Sequence, residues 1–152
     1  MLFVTTALMA LQLAGNAWAA EQPIAVSSIE VRLFMADTGQ FSEPVPEKSL
    51  LWNTIIGEGD AGGSSSSTLV KVLVSGPPGK FDKRATVSLK VAKPDSGERP
   101  AALNKSLGVF NAEGRQYVAF WLANTGCEEL LVSARVGAGK SVDQTIPFKC
   151  GE

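Results

Sequence analysis

Two cysteines, fifteen carboxylates and three tryptophans are the side chains of this 152-residue sequence whose chemistry has to be placed, and histidine is missing altogether. Without an imidazole there is no Ser-His-Asp or Cys-His apparatus, because no other unperturbed side chain changes charge near neutral pH. A structural zinc site is excluded as well, since two cysteines cannot close a tetrahedron alone. Any metal would have to be held by oxygen. Glu58 and Asp60, in the glycine- and serine-rich stretch Gly57 to Ser67, are the candidate ligands. A calcium ion takes six to eight oxygens, however, and the EF-hand spacing is absent. No lysine follows the glycines, so the stretch is not a phosphate-binding P-loop. Its simplest reading is a flexible, solvated connection.

The aromatic residues are more informative. In Gln116 to Ala123, Val118, Phe120 and Leu122 alternate with Tyr117, Ala119, Trp121 and Ala123, and the second set carries no charge. On a strand, Tyr117 and Trp121 share a face and span about 13 Å. If Val118, Phe120 and Leu122 face the core, this pair forms an aromatic platform that can stack a sugar or anchor a protein. If the parity is reversed, or a loop covers the face, Trp121 is packing. Trp52, within Leu50 to Ile56, poses the same choice between core and binding surface.

Nothing selects a catalytic constellation. A glycosidase needs two carboxylates converging from separate strands, and no spacing singles out a pair. The serine cluster has glycines before it and none after, so there is no Gly-x-Ser-x-Gly elbow. The sequence therefore reads as non-catalytic and without a cofactor.

The first nineteen residues carry no charge and end in Ala17-Trp18-Ala19, with small residues at −3 and −1. This pattern is that of a signal peptide covering residues 1–19. Gln12, Gly15 and Asn16 interrupt it too much for a spanning helix. Residues 20–152 are expected to form one exported domain, periplasmic or extracellular, with no membrane span after cleavage. In an oxidising compartment Cys127 and Cys150 should form a structural disulfide. The net charge of −1 offers no basic footprint for nucleic acid.

The elements that must position these residues are strands. Ile29, Val31, Leu33 and Met35 alternate with Glu30 and Arg32. Val70, Val72 and Val74 alternate with Lys71 on a strand that Leu69 and Leu73 make apolar on both sides, and Ala85 to Val91, Leu130 to Val136 and Val142 to Phe148 repeat the period of two. Leu50 to Ile56 and Leu107 to Phe110 are further short runs, and turn residues separate them all. No helical period appears. The expectation is all-β: an antiparallel β-sandwich of seven to eight strands, with a small closed β-barrel as the alternative. Pairing Val136 with Val142 aligns both apolar faces of the last two strands and brings Cys150 near Cys127, so the disulfide would staple the open end of that hairpin. Pro147 places the final strand at an edge. The proline-stiffened segment Phe41 to Lys48 reads as an exposed recognition segment or, more simply, as a crossover between sheets.

Tyr117, following the turn at Glu113-Gly114, resembles the tyrosine corner of immunoglobulin-like domains. The resemblance is partial and concerns architecture only: Ala119 stands where antibody domains have a cysteine. Taken together, the sequence points to an immunoglobulin-like sandwich that works by binding. A protein partner is the first expectation, and a carbohydrate or other small ligand on Tyr117, Trp121 or Trp52 is the second.

Overall fold

The computed structural model describes residues 22–151. The expected signal segment, residues 1–19, lies outside them. Nine strands follow in order: β1 (Ala25–Leu33), β2 (Leu51–Trp52), β3 (Ser67–Ser75), β4 (Thr86–Ala92), β5 (Ala101–Ser106), β6 (Arg115–Ala123), β7 (Leu130–Val136), β8 (Val142–Ile146) and β9 (Phe148–Lys149). Two antiparallel sheets pack face to face, one ordered β1-β3-β6 and the other β5-β4-β7-β8. A short parallel pair joins β2 to β9. The sheets remain separate and open, so the molecule is a sandwich and not a closed barrel. Among the described residues no helix is long and apolar enough to cross a membrane.

The period-two pattern explains why the sheets stack. Val31 and Leu33 from β1, Val70, Val72 and Val74 from β3, and Val118, Phe120 and Leu122 from β6 all turn inward. They meet Val87 and Leu89 of β4, Val132 and Ala134 of β7 and Ile146 of β8 in one core. Thr68 continues the inward row of β3, and its hydroxyl shares a 2.7 Å hydrogen bond with Thr125. Thr68→Val alone orphans the buried Thr125 hydroxyl and should cost about 1–2 kcal/mol. Adding Thr125→Val should return part of that loss in a denaturant double-mutant cycle.

Several elements depart from the sequence expectation. β5 was not anticipated, because all six of its residues are exposed and an edge strand wet on both faces has no alternation to read. The expected strand at Leu107 to Phe110 is instead a connection that buries Leu107 and Phe110. Leu50 to Ile56 is strand only at Leu51–Trp52 and then coils into a single 3-10 turn, Thr54–Ile56. In the last hairpin Ala134 pairs with Val142 and Leu130 with Ile146, two residues from the expected register. A slip of two leaves every side chain on its face, so the apolar pattern cannot detect it. The tight turn with Gly139 N–H bonded to the Val136 carbonyl chooses the register. Pro147 ends β8, and the chain passes to β2 as β9. The expected disulfide is present, with the Cys127 and Cys150 Cα atoms 4.7 Å apart, and it ties the end of that hairpin. Tyr117 is 56% exposed on the outer face of β6, which is not the packed corner position the resemblance implies.

The segment after β1 turns back along its free edge. Ser42 N–H bonds the Leu33 carbonyl and Val45 N–H the Val31 carbonyl, each at 2.8 Å. Pro44 and Pro46 stop it from becoming a regular strand, which is a common way of blunting a sheet edge.

Candidate functional site

The outer face of the three-stranded sheet is the first candidate. Pairing of β3 with β6 sets Leu69 opposite Trp121, Lys71 opposite Ala119 and Leu73 opposite Tyr117. Arg32 and Glu30 of β1 continue the rows of Leu69 and Lys71. In a sandwich this face is normally wet and polar. Here Trp121 is 47% exposed and Phe41 46%. Phe34, Phe41 and Trp121 meet edge to face, with centroids 5.4 to 6.2 Å apart. The bridge between Phe34 and Phe41 delivers Phe41 to the cluster. So the loop partly covers Trp121, as one of the sequence readings allowed, but leaves the cluster open to solvent.

Between the apolar rows runs an ion-paired one. Glu30 accepts from Lys71 Nζ at 2.6 Å and from Arg32 Nε at 2.7 Å. The Lys71 hydrogen bond holds the Glu30 carboxyl below its ordinary value, outweighing partial burial, and Arg32 adds to it. An acid with a lowered folded pKa contributes stability above its unfolded value and loses it as pH falls through the folded one. Lys71 also stands 5.2 Å from the centroid of the Tyr117 ring. Tyr117 and Trp121 therefore share a face, as the strand spacing expected, but a charged row lies between their apolar surroundings. On the open edge of β6, Lys105 Nζ donates to the Ala119 carbonyl at 2.6 Å. That ammonium occupies an acceptor that an added strand would need.

Trp52 is placed elsewhere. It is 37% exposed, with Leu51 beside it buried. Around it Asn53 gathers the surrounding backbone: its N–H bonds the Lys149 carbonyl at 2.8 Å, and its side-chain oxygen accepts from Gly151 N–H at 3.0 Å. The disulfide, Lys93, Asp95 and Glu128 line the same cleft as Trp52. Lys93 Nζ lies 2.8 Å from Glu128 and 3.6 Å from Glu98, and the bond to Glu128 raises its pKa above the ordinary value.

The Gly57 to Ser67 stretch is more structured than its composition suggested. Ala61 and Ser65 are buried, and a second 3-10 turn covers Gly59–Ala61. Its carboxylates are used locally: Asp60 accepts from Leu50 N–H and Glu58 from Asn53 Nδ2, both at 2.7 Å. Among the described residues no group of three or more His, Cys, Asp or Glu side chains could hold a metal ion. Phe34 and Phe41 were missed by sequence reasoning. Phe34 continues the outward parity of Glu30 and Arg32, a signal that was readable; Phe41 becomes visible only once the chain reverses at Gly39. In comparisons with known proteins, no family model, no curated protein and no solved structure matches this chain.

Proposed function

We propose that this chain is an exported, non-catalytic binding module of the cell envelope or extracellular space that holds a protein partner on the outer face of its three-stranded sheet. The observation that carries the reading is the solvent-open cluster of Phe34, Phe41 and Trp121 on a face where a free sandwich is usually polar. Rigid aromatic anchors of this kind are enriched among interface hot spots, and the adjoining Glu30, Arg32 and Lys71 supply a polar rim. The uncharged residues 1–19 and the disulfide support export, since such bonds persist in oxidising compartments. The strand order β1-β3-β6 against β5-β4-β7-β8 supports an immunoglobulin-like arrangement, in which such faces and loops recur as binding surfaces.

The test is affinity capture from the compartment of origin, with the wild-type chain beside Phe41→Ala and Trp121→Ala. Both side chains are about half exposed, so each variant should stay folded at a cost of about 1 kcal/mol, well below the 3–5 kcal/mol of a buried aromatic. A partner retained by the wild type and lost from both variants is the expected outcome. Identical captured proteins in all three would defeat the proposal, as would acrylamide quenching that fails to reach Trp121.

A further inference from the structure

Three depressions adjoin where the connections β4–β5 and β6–β7 come together. The first, about 430 Å³, has Trp52 and the disulfide in its wall. A second of about 220 Å³ shares Cys127 and Glu128 with it and adds Asn124. The third, about 370 Å³, shares Asn124, Thr125 and Leu130 with the second and reaches Leu103 and Trp121. Lys93 lines all three. We infer that they form one groove for a linear, neutral oligosaccharide of pyranose sugars, with Trp52 and Trp121 as stacking platforms and polar groups along it.

Both indoles are held in place before any ligand arrives. Gly151 lies so close to the six-membered ring of Trp52 that a Cβ there would stand 2.0 Å from Cζ2. Asn53 fixes that glycine through its backbone N–H. Trp121 is braced edge-on by Phe34 and Phe41. A platform that does not have to be ordered on binding loses less entropy. Trp121 thus borders both the outer face and the groove, whereas Trp52 belongs to the groove alone.

The lining between the platforms sets the ligand class. Asp95, Ser96, Glu128 and Glu129 offer acceptors for hydroxyl groups, and Lys93 and Asn124 offer donors. An apolar ligand would strip water from these carboxylates and return nothing. A phosphate or acidic sugar would face Asp95, Glu128 and Glu129 at short range against two ammonium groups, Lys93 and Lys149, the first already paired with Glu128. A neutral pyranose chain satisfies both needs: its C–H faces stack on indole and its hydroxyl edges bond to the polar lining. An extended peptide would look for a free strand edge beside the groove, and on β6 the Lys105 ammonium occupies the Ala119 carbonyl.

The experiment titrates the disulfide-bonded chain with hexamers and dimers of β-1,4-linked glucose and of β-1,4-linked N-acetylglucosamine, read by calorimetry and tryptophan emission. At least one hexamer should bind about tenfold tighter than its own dimer, because a longer chain can occupy more of the three adjoining depressions at once. Trp52→Ala and Asp95→Ala should each weaken it about fivefold or more. Asp95 is exposed, so Asp95→Ala should melt with the wild type and separate lost binding from lost folding. The assignment is overturned if neither hexamer binds, if dimer and hexamer bind alike, or if both substitutions leave affinity unchanged. Protein capture that depends on Phe41 would survive that result. Should the captured protein depend on Trp52 as well, with no saccharide bound, the groove belongs to the protein interface and the saccharide assignment falls alone.

Discussion

Gly114→Ala should destabilise the sandwich by about 3 kcal/mol, far more than the addition of one methyl group suggests. Gly114 has φ +69° and is buried in the turn before β6. A Cβ there would lie 2.4 Å from the Gly76 carbonyl oxygen. That oxygen cannot swing away like a side-chain end, because the two glycines are already tied: Gly76 N–H donates to the Gly114 carbonyl at 2.9 Å. A non-glycine residue in the left-handed region costs about 1–2 kcal/mol, and forced displacement of packed backbone adds about 1–3. Gly97→Ala isolates the first part, since Gly97 has φ +68° with nothing within 4 Å of its would-be Cβ. It should cost about 1 kcal/mol. Denaturant midpoints of the two variants measure the difference directly, and equal losses would mean that the approach of Gly114 to Gly76 is not as close as described.

Breaking the disulfide should have an effect of similar size. Cys127 and Cys150 are 23 apart in sequence, and closing a loop of that length restrains the unfolded chain by roughly 3 kcal/mol. Cys127→Ser with Cys150→Ser should lower the thermal midpoint by roughly 10 °C. A reductant should bring the wild type to the same value and leave the double variant unmoved. The loss also has a place. β9 holds β2 by two residues of parallel pairing, so amide exchange at Asn53, whose N–H reaches Lys149, should rise more than exchange in the middle of β3. Uniform exchange across both would contradict a local clasp.

Much of the fold was legible because its core obeys one rule. β1, β3, β4, β6 and β7 each put apolar residues on alternate positions, and the same alternation oriented Tyr117 and Trp121 outward. Three kinds of feature escaped it. β5 is exposed on both faces and leaves no periodic mark. The two-residue change in the last hairpin preserves parity and was decided by the turn at Val136 to Gly139. The candidate surfaces depend on contacts across long sequence intervals: Phe41 reaches Trp121 only after the chain folds back, and Trp52 gains its Gly151 backing only once β9 lies beside β2. Such approaches come from tertiary closure and have no local period. The glycine- and serine-rich stretch misled for a different reason. Its composition allows flexibility, but specific hydrogen bonds to Leu50 and Asn53 spend that freedom on a defined path.

The clasp around Asn53 also joins segments far apart in the sequence. Gly151 N–H reaches the Asn53 side chain across 98 positions, and among the described residues β2 has no strand partner other than β9. Until Gly151 lies against it, the Trp52 ring lacks that backing, and the first depression lacks the part of its wall formed by Phe148, Lys149 and Cys150. Closing so long a loop is entropically slow, and chains rich in distant pairings fold in milliseconds to seconds. The main sandwich also joins distant parts of the chain, since β1 packs against β8. The Trp52 cleft is therefore built from segments 98 positions apart, and the Cys127–Cys150 disulfide holds its C-terminal wall in place.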